Sequence, residues 1–493
     1  MYSKDDLKNT IVTELGDYNL LVTSNREPYI HTMEHGDIKV WRPSGGAVTA
    51  LDPVMRACGG TWVAHGSGNA DRKVVDKHDR IRVPEDDPKY TLRRVWLTKE
   101  EERGYYYGFS NETLWPLCHI AYTRPVFREI DWQIYQAVNK KFAEAITKEV
   151  GGKDQKKNIV WIQDFQLALV ARYIKEINPN IICAYFWHIP WPNPEVFRIC
   201  PFRKEIIEGI LSNDLVGFHI RYHADNFIET VEREVEAKTD RERNSIVKEG
   251  HETLVRSFPI SIDFKAISDF VASDETARRA EELRHDLSLD NKIVLLGCDR
   301  IDYTKGIPER LDAFDKFLDT YPEYKEKIVL VQIGATSRTL IKAYKDINNE
   351  INQLVKDINW KHSTSDWAPI VYSKEFVPYE DILAFYRIAD GIIISSLHDG
   401  MNLVAKEYIS SKFDNSGAVI LSQFTGSARE LHESFYINPY NAKEFVETIK
   451  TVLDTPDEEK KKRMHILREI VSENNIYRWA ANVIIELSKF YLY

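Results

Sequence analysis

Short runs of β-branched and other apolar residues recur along most of this chain, each followed by a longer amphipathic stretch. That alternation limits the fold more than any other feature. In the first half the runs are NLLVTS (19–24), NIVWI (158–162), IICAYFW (181–187) and DLVGF (214–218). In the second half they are KIVLLGCD (292–299), KIVLVQIG (327–334), PIVYS (369–373), GIIISS (391–396) and AVILS (418–422). A strand apolar at every position has both faces covered, which is the signature of a parallel sheet between helical layers. Two such series predict an α/β chain of two doubly wound, Rossmann-like domains. At 493 residues the chain is too long for one ordinary core. The join is predicted near SFPISIDF (257–264), after the charged segment 232–252, which reads as a solvated helix and loop. The tail from Pro456 reads as helical, with Asn475 as a stop or cap between two helices.

Composition narrows the function classes. Hydrophobic residues make up 43% and charged residues 29%, a globular balance. The net charge of −10 argues against a general nucleic-acid or anionic-membrane binder. No run of about 18 apolar residues occurs, and the acidic N-terminus does not read as a signal peptide. Five scattered cysteines without a C-x-x-C pair suit buried thiols in a reducing cytoplasm. GSGNAD (66–71) lacks the third glycine of a dinucleotide fingerprint, so an oxidoreductase is disfavoured. His219 and His223 have the spacing of a metal pair but no obvious third ligand, and no Asp-x-Asp occurs, so no metal is expected.

In open α/β sheets ligands sit beyond the carboxyl ends of the strands, so the segments that follow the apolar runs carry the candidates. After GIIISS comes DGMNLVAKEY (399–408). Asn402 can cap a helix whose first amides, at Leu403 and Val404, would form an anion site suited to a diphosphate. Glu407, about one turn on, could accept hydrogen bonds from ribose hydroxyls, and Asp399 could hold sugar hydroxyls. GCDRIDYTKG (297–306) adds Arg300 and Lys305, a fork and a point charge able to neutralise a departing diphosphate. Further strand-end candidates are Arg26, Arg338 and His188, and the glycines Gly45 and Gly46 let backbone approach a ligand. Tyr106 and Trp115, in YYYGFSNETLWP, offer ring planes to a sugar face, with burial in a core as the equal alternative.

These segments, taken in order, resemble the retaining glycosyltransferases of the trehalose-6-phosphate synthase family. VWIQDFQL (160–167), HIPWPNPEVF (188–197), RIDYTKGIPERL (300–311), TSR (336–338) and DGMNLVAKEY carry the likeness, which runs from SNR near 24 to NPYN near 438–441. The resemblance implies the GT-B fold, two facing Rossmann-like domains with the active site in the cleft. It implies an acceptor-binding domain at 1–260, a nucleotide-sugar-binding domain at 261–475 and a helix at 476–493 crossing back to the first domain.

The implied reaction moves glucose from a nucleoside diphosphate glucose, UDP-glucose foremost, to glucose 6-phosphate with retention, giving α,α-trehalose 6-phosphate. His188, Arg300, Lys305 and Asp399 would be catalytic. The donor would also meet Gly45, Gly46, Leu403, Val404 and Glu407. The acceptor would sit against Arg26, Trp62, Tyr106, Trp115, Asp164 and Arg338. No cofactor and no metal are implied. A cytoplasmic enzyme acting on a nucleotide sugar and a sugar phosphate follows, with homo-oligomerisation left open. Front-face substitution is the favoured chemistry, with a covalent double displacement through Asp399 or Asp164 as its competitor.

The chain departs from the family at Gln163-Asp164-Phe165-Gln166, where many relatives have His-Asp-Tyr-His, and at His398, where arginine is frequent. These departures leave acceptor and nucleotide preference open. A glucosylglycerol-phosphate synthase using glycerol 3-phosphate is the near alternative. A catalytically silent sugar-phosphate sensor is the more distant one, and it would be expected to lose Lys305, Asp399 or Glu407.

Overall fold

In the computed structural model, six parallel strands form the sheet of the unit Ser261–Asn475. They are β13 (Ile293–Arg300), β14 (Ile328–Ala335), β15 (Ile370–Ser373), β16 (Gly391–Ile394), β17 (Ala418–Ser422) and β18 (Phe435–Ile437). Their order is β15-β14-β13-β16-β17-β18. Numbered within the unit this is 3-2-1-4-5-6, the doubly wound arrangement, and the order reverses between β13 and β16. The apolar runs read from the sequence coincide with β13 to β17; β13, β14, β16 and β17 are shielded on both faces, and the edge strand β15 only partly. Ile392, Ile393, Ile394, Leu295 and Leu330 are fully buried in one continuous core. The structure describes residues 1–16, 19–43, 46–150 and 158–491.

The second unit comprises Tyr2–Ile260 together with Ile476–Tyr493. Its strands are β1 (Asn19–Arg26), the hairpin β2 (Ile30–Glu34) and β3 (Asp37–Trp41), β4 (Thr61–His65), β5 (Arg80–Val83) and β6 (Tyr90–Val95). They continue with β7 (Asn158–Gln163), β8 (Ile182–Phe186), β9 (Leu215–Phe218), β10 (Lys238–Asp240), β11 (Ser245–Lys248) and β12 (His251–Ser257). Ten of them form one sheet in the order β10-β11-β12-β9-β8-β7-β1-β4-β6-β5. The interior is parallel, and antiparallel pairs at β5–β6 and β10–β11–β12 close its two edges. Here too the order turns beside β1, which pairs with both β7 and β4.

The charged segment 232–252 is not the solvated helix and loop expected. A helix ends at Glu234, and the chain then builds β10, β11 and the start of β12. The signal overlooked was turn chemistry. Glu249 and Gly250 both have positive φ (53° and 86°), and they join β11 to β12 as a tight hairpin. Ser245 and Ile246 are buried while their charged neighbours face water, so the run reads as polar although β11 enters the sheet.

The tail forms two helices, Asp457–Glu473 and Ile476–Ser488. The second packs within the unit Tyr2–Ile260, and Trp479 anchors it. Its ring stacks on Trp161 at 4.8 Å, meets Phe186 edge-on at 5.2 Å, and donates its Nε1–H to the Phe258 carbonyl at 3.1 Å. Trp479→Ala should therefore destabilise this unit by about 3–5 kcal/mol, the usual cost of emptying a large aromatic site. Trp479→Phe should cost less, because the stack survives and only the carbonyl loses its donor. Urea denaturation followed by circular dichroism checks this. Equal stability of Trp479→Ala and the parent would remove the helix from the core.

Candidate active site

The reversal between β13 and β16 brings two loops together, and most candidates in this unit lie on them. Arg300 is the last residue of β13. The chain then makes a tight turn around Asp302, whose Oδ1 accepts from the Thr304 amide (3.0 Å) and hydroxyl (2.9 Å). Gly306 follows with φ +61°, and a Cβ there would lie 2.1 Å from the Ser395 carbonyl oxygen, so only glycine fits. The turn aims Lys305 at the other loop. Its Nζ lies 2.6 Å from Asp399 Oδ2, and both side chains are mostly buried. Asp399 also accepts from Asn402 Nδ2 at 3.2 Å and Ser396 Oγ at 3.3 Å.

Asn402 adopts φ +83° and caps the helix Leu403–Ser411, its Oδ1 accepting from the Ala405 amide at 3.1 Å. Leu403 and Val404 thus supply the first amides of the helix, at its positive end. One turn on, Glu407 is buried, and Tyr386 donates its hydroxyl to Glu407 Oε2 at 3.0 Å. Burial pushes this carboxyl up to about 7, against the opposing effect of the Tyr386 bond. Lys305, Asp399, the helix start and Glu407 therefore follow one another from the turn after β13 into the helix Leu403–Ser411. Arg338 stands on the loop after β14 with φ +48°, and its Nη1 pairs with Asp302 Oδ2 at 3.1 Å and also bonds to the Tyr344 hydroxyl.

In the other unit, Arg26 ends β1 and its Nη2 donates to the Tyr106 hydroxyl at 3.4 Å. Tyr106 lies in an uncommon element, a π-helix over Arg103–Leu114. The Trp115 amide bonds to the Ser110 carbonyl, five residues back. The wider turn has a consequence for the two aromatic candidates. Positions 106 and 115 would face opposite ways at about 100° per α-helical residue, but share a face at roughly 80° per π-helical residue. Two glycines permit the packing of this wide helix. A Cβ on Gly104 would meet Ile134 at 2.5 Å, and one on Gly108 would meet Asp131 at 2.5 Å.

Trp115 itself is nearly buried against His119 (ring centroids 4.1 Å apart) and Phe165 (5.8 Å). Trp62 corrects the sequence reading. It sits inside β4, fully buried, with its ring on Tyr90 and its Nε1–H on Ser24 Oγ at 2.9 Å. It therefore presents no atom to a ligand, because its strand position turns it inward. Gly46 is exposed at φ +81°, whereas Gly45 lies outside the described residues.

Asp164 follows β7 with φ +75°, and its Oδ1 accepts from the amides of Phe165 (2.9 Å) and His188 (3.3 Å). His188 follows β8, and its Nε2 bonds to Gln163 Oε1 at 2.8 Å. Burial drives its pKa down to about 3, so the imidazole is neutral throughout the working pH range. Arg26, Tyr106, Asp164 and His188 thus all follow strand ends of the ten-stranded sheet or pack on a residue that does.

The histidine pair at 219 and 223 serves the backbone: His219 Nε2 bonds to the His188 carbonyl at 3.1 Å and His223 Nδ1 to the Trp191 carbonyl at 3.2 Å. Among the described residues, Asp315, Asp319 and His362 bring metal-type donor atoms together, and Lys361 already lies within 2.9 Å of Asp315. Sequence reasoning missed Gln163, Tyr386 and Arg310. Arg310 had a signal: it lies on the same inward stripe as Ile307, Leu311 and Phe314, where a guanidinium requires buried partners.

The chain is similar to known proteins over almost its whole length. The trehalose-6-phosphate synthase of Mycobacterium avium is 36% identical over 482 residues, covering 96% of both chains. That of Mycobacterium marinum is 37% identical over 473 residues, covering 94% of this chain and 93% of the relative. Among solved structures, one from E. coli bound with UDP-2-fluoro glucose aligns with a TM-score of 0.83 at 28% identity, over 95% of this chain and 99% of that one. An α,α-trehalose-phosphate synthase from Burkholderia xenovorans in complex with glucose-6-phosphate aligns with a TM-score of 0.84 at 26% identity, over 95% and 99%. The pattern of glycosyltransferase family 20 matches residues 18–489, and the chain belongs to that family.

Proposed function

We propose that this enzyme transfers glucose from UDP-glucose to glucose 6-phosphate with retention, forming α,α-trehalose 6-phosphate and UDP. The observation that carries the reading is the switch-point crevice of the unit Ser261–Asn475. In sequence along it stand a sugar-hydroxyl acceptor (Asp399), a cation (Lys305), a helix start (Leu403, Val404) and a carboxyl group (Glu407). Those groups match the glucose, diphosphate and ribose of a nucleotide sugar. The relatives' names and the ligands of the two solved structures support the same substrates. A silent sensor has no reason to keep the Lys305–Asp399 pair and the carboxyl of Glu407 together.

The chemistry follows from charge and position. The anomeric hydroxyl of glucose 6-phosphate attacks C1 of the donor glucose on the face from which the diphosphate leaves. The C1–O bond to phosphate breaks, the new glycosidic bond forms, and the hydroxyl proton passes to the leaving phosphate oxygen. Arg300 and Lys305 stabilise the charge that grows on the diphosphate. Asp399 is already engaged by Lys305, Asn402 and Ser396, and Asp164 by two amides, so both serve as hydrogen-bond acceptors and not as nucleophiles. In the unit Tyr2–Ile260, Arg26 and Tyr106 take the acceptor phosphate, and neutral His188 offers a sugar hydroxyl a hydrogen-bonding imidazole. Four of the five thiols are buried, which suits work in the cytoplasm.

The test of this reading offers a panel of nucleotide glucoses with glucose 6-phosphate, glucose or glycerol 3-phosphate, and identifies the product by mass and anomeric configuration. Trehalose 6-phosphate with both anomeric centres α is expected. A product formed only with glycerol 3-phosphate, or none with any pair, overturns the reading.

Glu407 gives a pH dependence. Ribose hydroxyls donate to its ionised form, and near pH 6 most of the carboxyl is protonated because its pKa is raised to about 7. Nucleotide-sugar affinity should therefore rise about tenfold from pH 6 to pH 8, following the ionised fraction. Glu407→Gln should bind more weakly and lose the dependence. Calorimetric titrations at both pH values check it, and an equally steep profile in Glu407→Gln would assign the effect elsewhere.

A further inference from the structure

Behind the Lys305 turn lies a fully buried charge that the reaction does not use directly. Arg310 belongs to the helix Ile307–Thr320, which leaves that turn, and its side chain is wholly excluded from solvent. The guanidinium makes one bond to each of three neighbouring strands or the residue just past it: near the end of β13, inside β14 and just beyond β16. Its Nη2 donates to Asp299 Oδ2 at 2.7 Å on β13, and its Nη1 to Gln332 Oε1 at 2.8 Å on β14. Its Nε donates to Ser395 Oγ at 3.1 Å, just past β16. Space for it is reserved by Gly297, where a Cβ would lie 2.2 Å from Arg310 Nη1.

Ser395 passes this anchoring to the site. Its fully buried hydroxyl lies 2.7 Å from the Gly306 carbonyl and 3.0 Å from the Lys305 carbonyl. Having accepted from Arg310, it donates its one proton to this pair of carbonyls. The same turn is tied a second time by the Leu397 amide, which bonds to the Thr304 carbonyl at 2.8 Å. Arg300 is the residue next to Asp299. One guanidinium therefore restrains both cationic residues at the switch point, through Asp299 on one side and Ser395 on the other.

We propose that Arg310 and Ser395 are positioning residues for glucosyl transfer: together they fix the backbone at Lys305 and Gly306 and so set where the Lys305 ammonium meets the departing diphosphate. A buried ion pair is by itself weak evidence of stabilisation, because desolvation offsets its Coulomb gain. Its three-way geometry, tying β13 and β14 to Ser395 behind the Lys305 turn, is what points to preorganisation. A small displacement of such a group can cost about 10²-fold in rate without loss of fold.

This inference rests on the transfer reading above, and its test separates the two. The variants are Ser395→Ala and Arg310→Lys, the latter keeping a cation beside Asp299 but lacking the Nε donor. Each is made alone and together with Lys305→Ala, and kcat and donor KM are measured with UDP-glucose and glucose 6-phosphate. The inference predicts that either variant lowers kcat by about 10- to 100-fold with donor KM changed less than about twofold. It also predicts that the same substitution lowers kcat less than about twofold once Lys305 is already alanine, because residues acting through one group are not additive. A folded variant with wild-type kcat, a rise in KM alone, or the same loss in both backgrounds overturns it. If Ser395→Ala does not fold, Arg310→Lys decides by the same criteria. If neither folds, the pair is structural and the inference is overturned. Wild-type protein that makes no trehalose 6-phosphate overturns both readings, whereas an active wild type with additive losses overturns only this one.

Discussion

A doubly wound parallel sheet cannot cover its own switch point. Strands added on either side of β13 send their crossover connections to opposite faces, so the loops leaving β13 and β16 diverge and a crevice opens at their carboxyl ends. β13 and β16 pair only through Leu295–Gly391 and Leu296–Ile392, well before either strand ends. Everything proposed for the donor hangs from this gap. Arg300 and Lys305 leave one lip, and Asp399 and the capped helix Leu403–Ser411 leave the other.

Charge then has to be managed inside a low-dielectric gap. Lys305 and Asp399 pair at 2.6 Å, a charge-assisted contact. Beneath them, Arg310 shares its donors among Asp299, Gln332 and Ser395, leaving little freedom to the strand ends. Glu407 meets the opposite situation. Its carboxylate meets a neutral phenol, Tyr386, and burial raises its carboxyl to about 7 despite that bond. Fixed cations at one end and a carboxyl poised near neutrality at the other give the crevice its polarity.

The sequence was most legible where burial is two-sided. β13 to β17 are continuous apolar runs, and nothing else has that pattern in so short a length. Legibility fell at short strands such as β11 and β12, where two or three buried residues lie among charged ones and the run resembled a solvated segment. The capped helix at Asn402 could be read from local chemistry because a cap needs only its own four residues. Trp62 could not be placed, since an aromatic side chain looks the same whether its strand turns it toward the core or a ligand. The π-helix over Arg103–Leu114 left no periodic signature in the sequence. Arg310 and Ser395 were illegible in role because their work is tertiary, defined by partners 11 to 90 positions away.

The central claim is that Lys305 and the start of the helix Leu403–Ser411 hold the diphosphate of the donor. Its most direct measurement is the calorimetric affinity of UDP relative to UMP, for wild type and for Lys305→Ala. The account predicts that wild type prefers UDP, that Lys305→Ala reduces this preference by about tenfold or more, as expected for one charge-assisted contact, and that UMP affinity stays within about twofold. A preference for UDP that is unchanged in Lys305→Ala would contradict it.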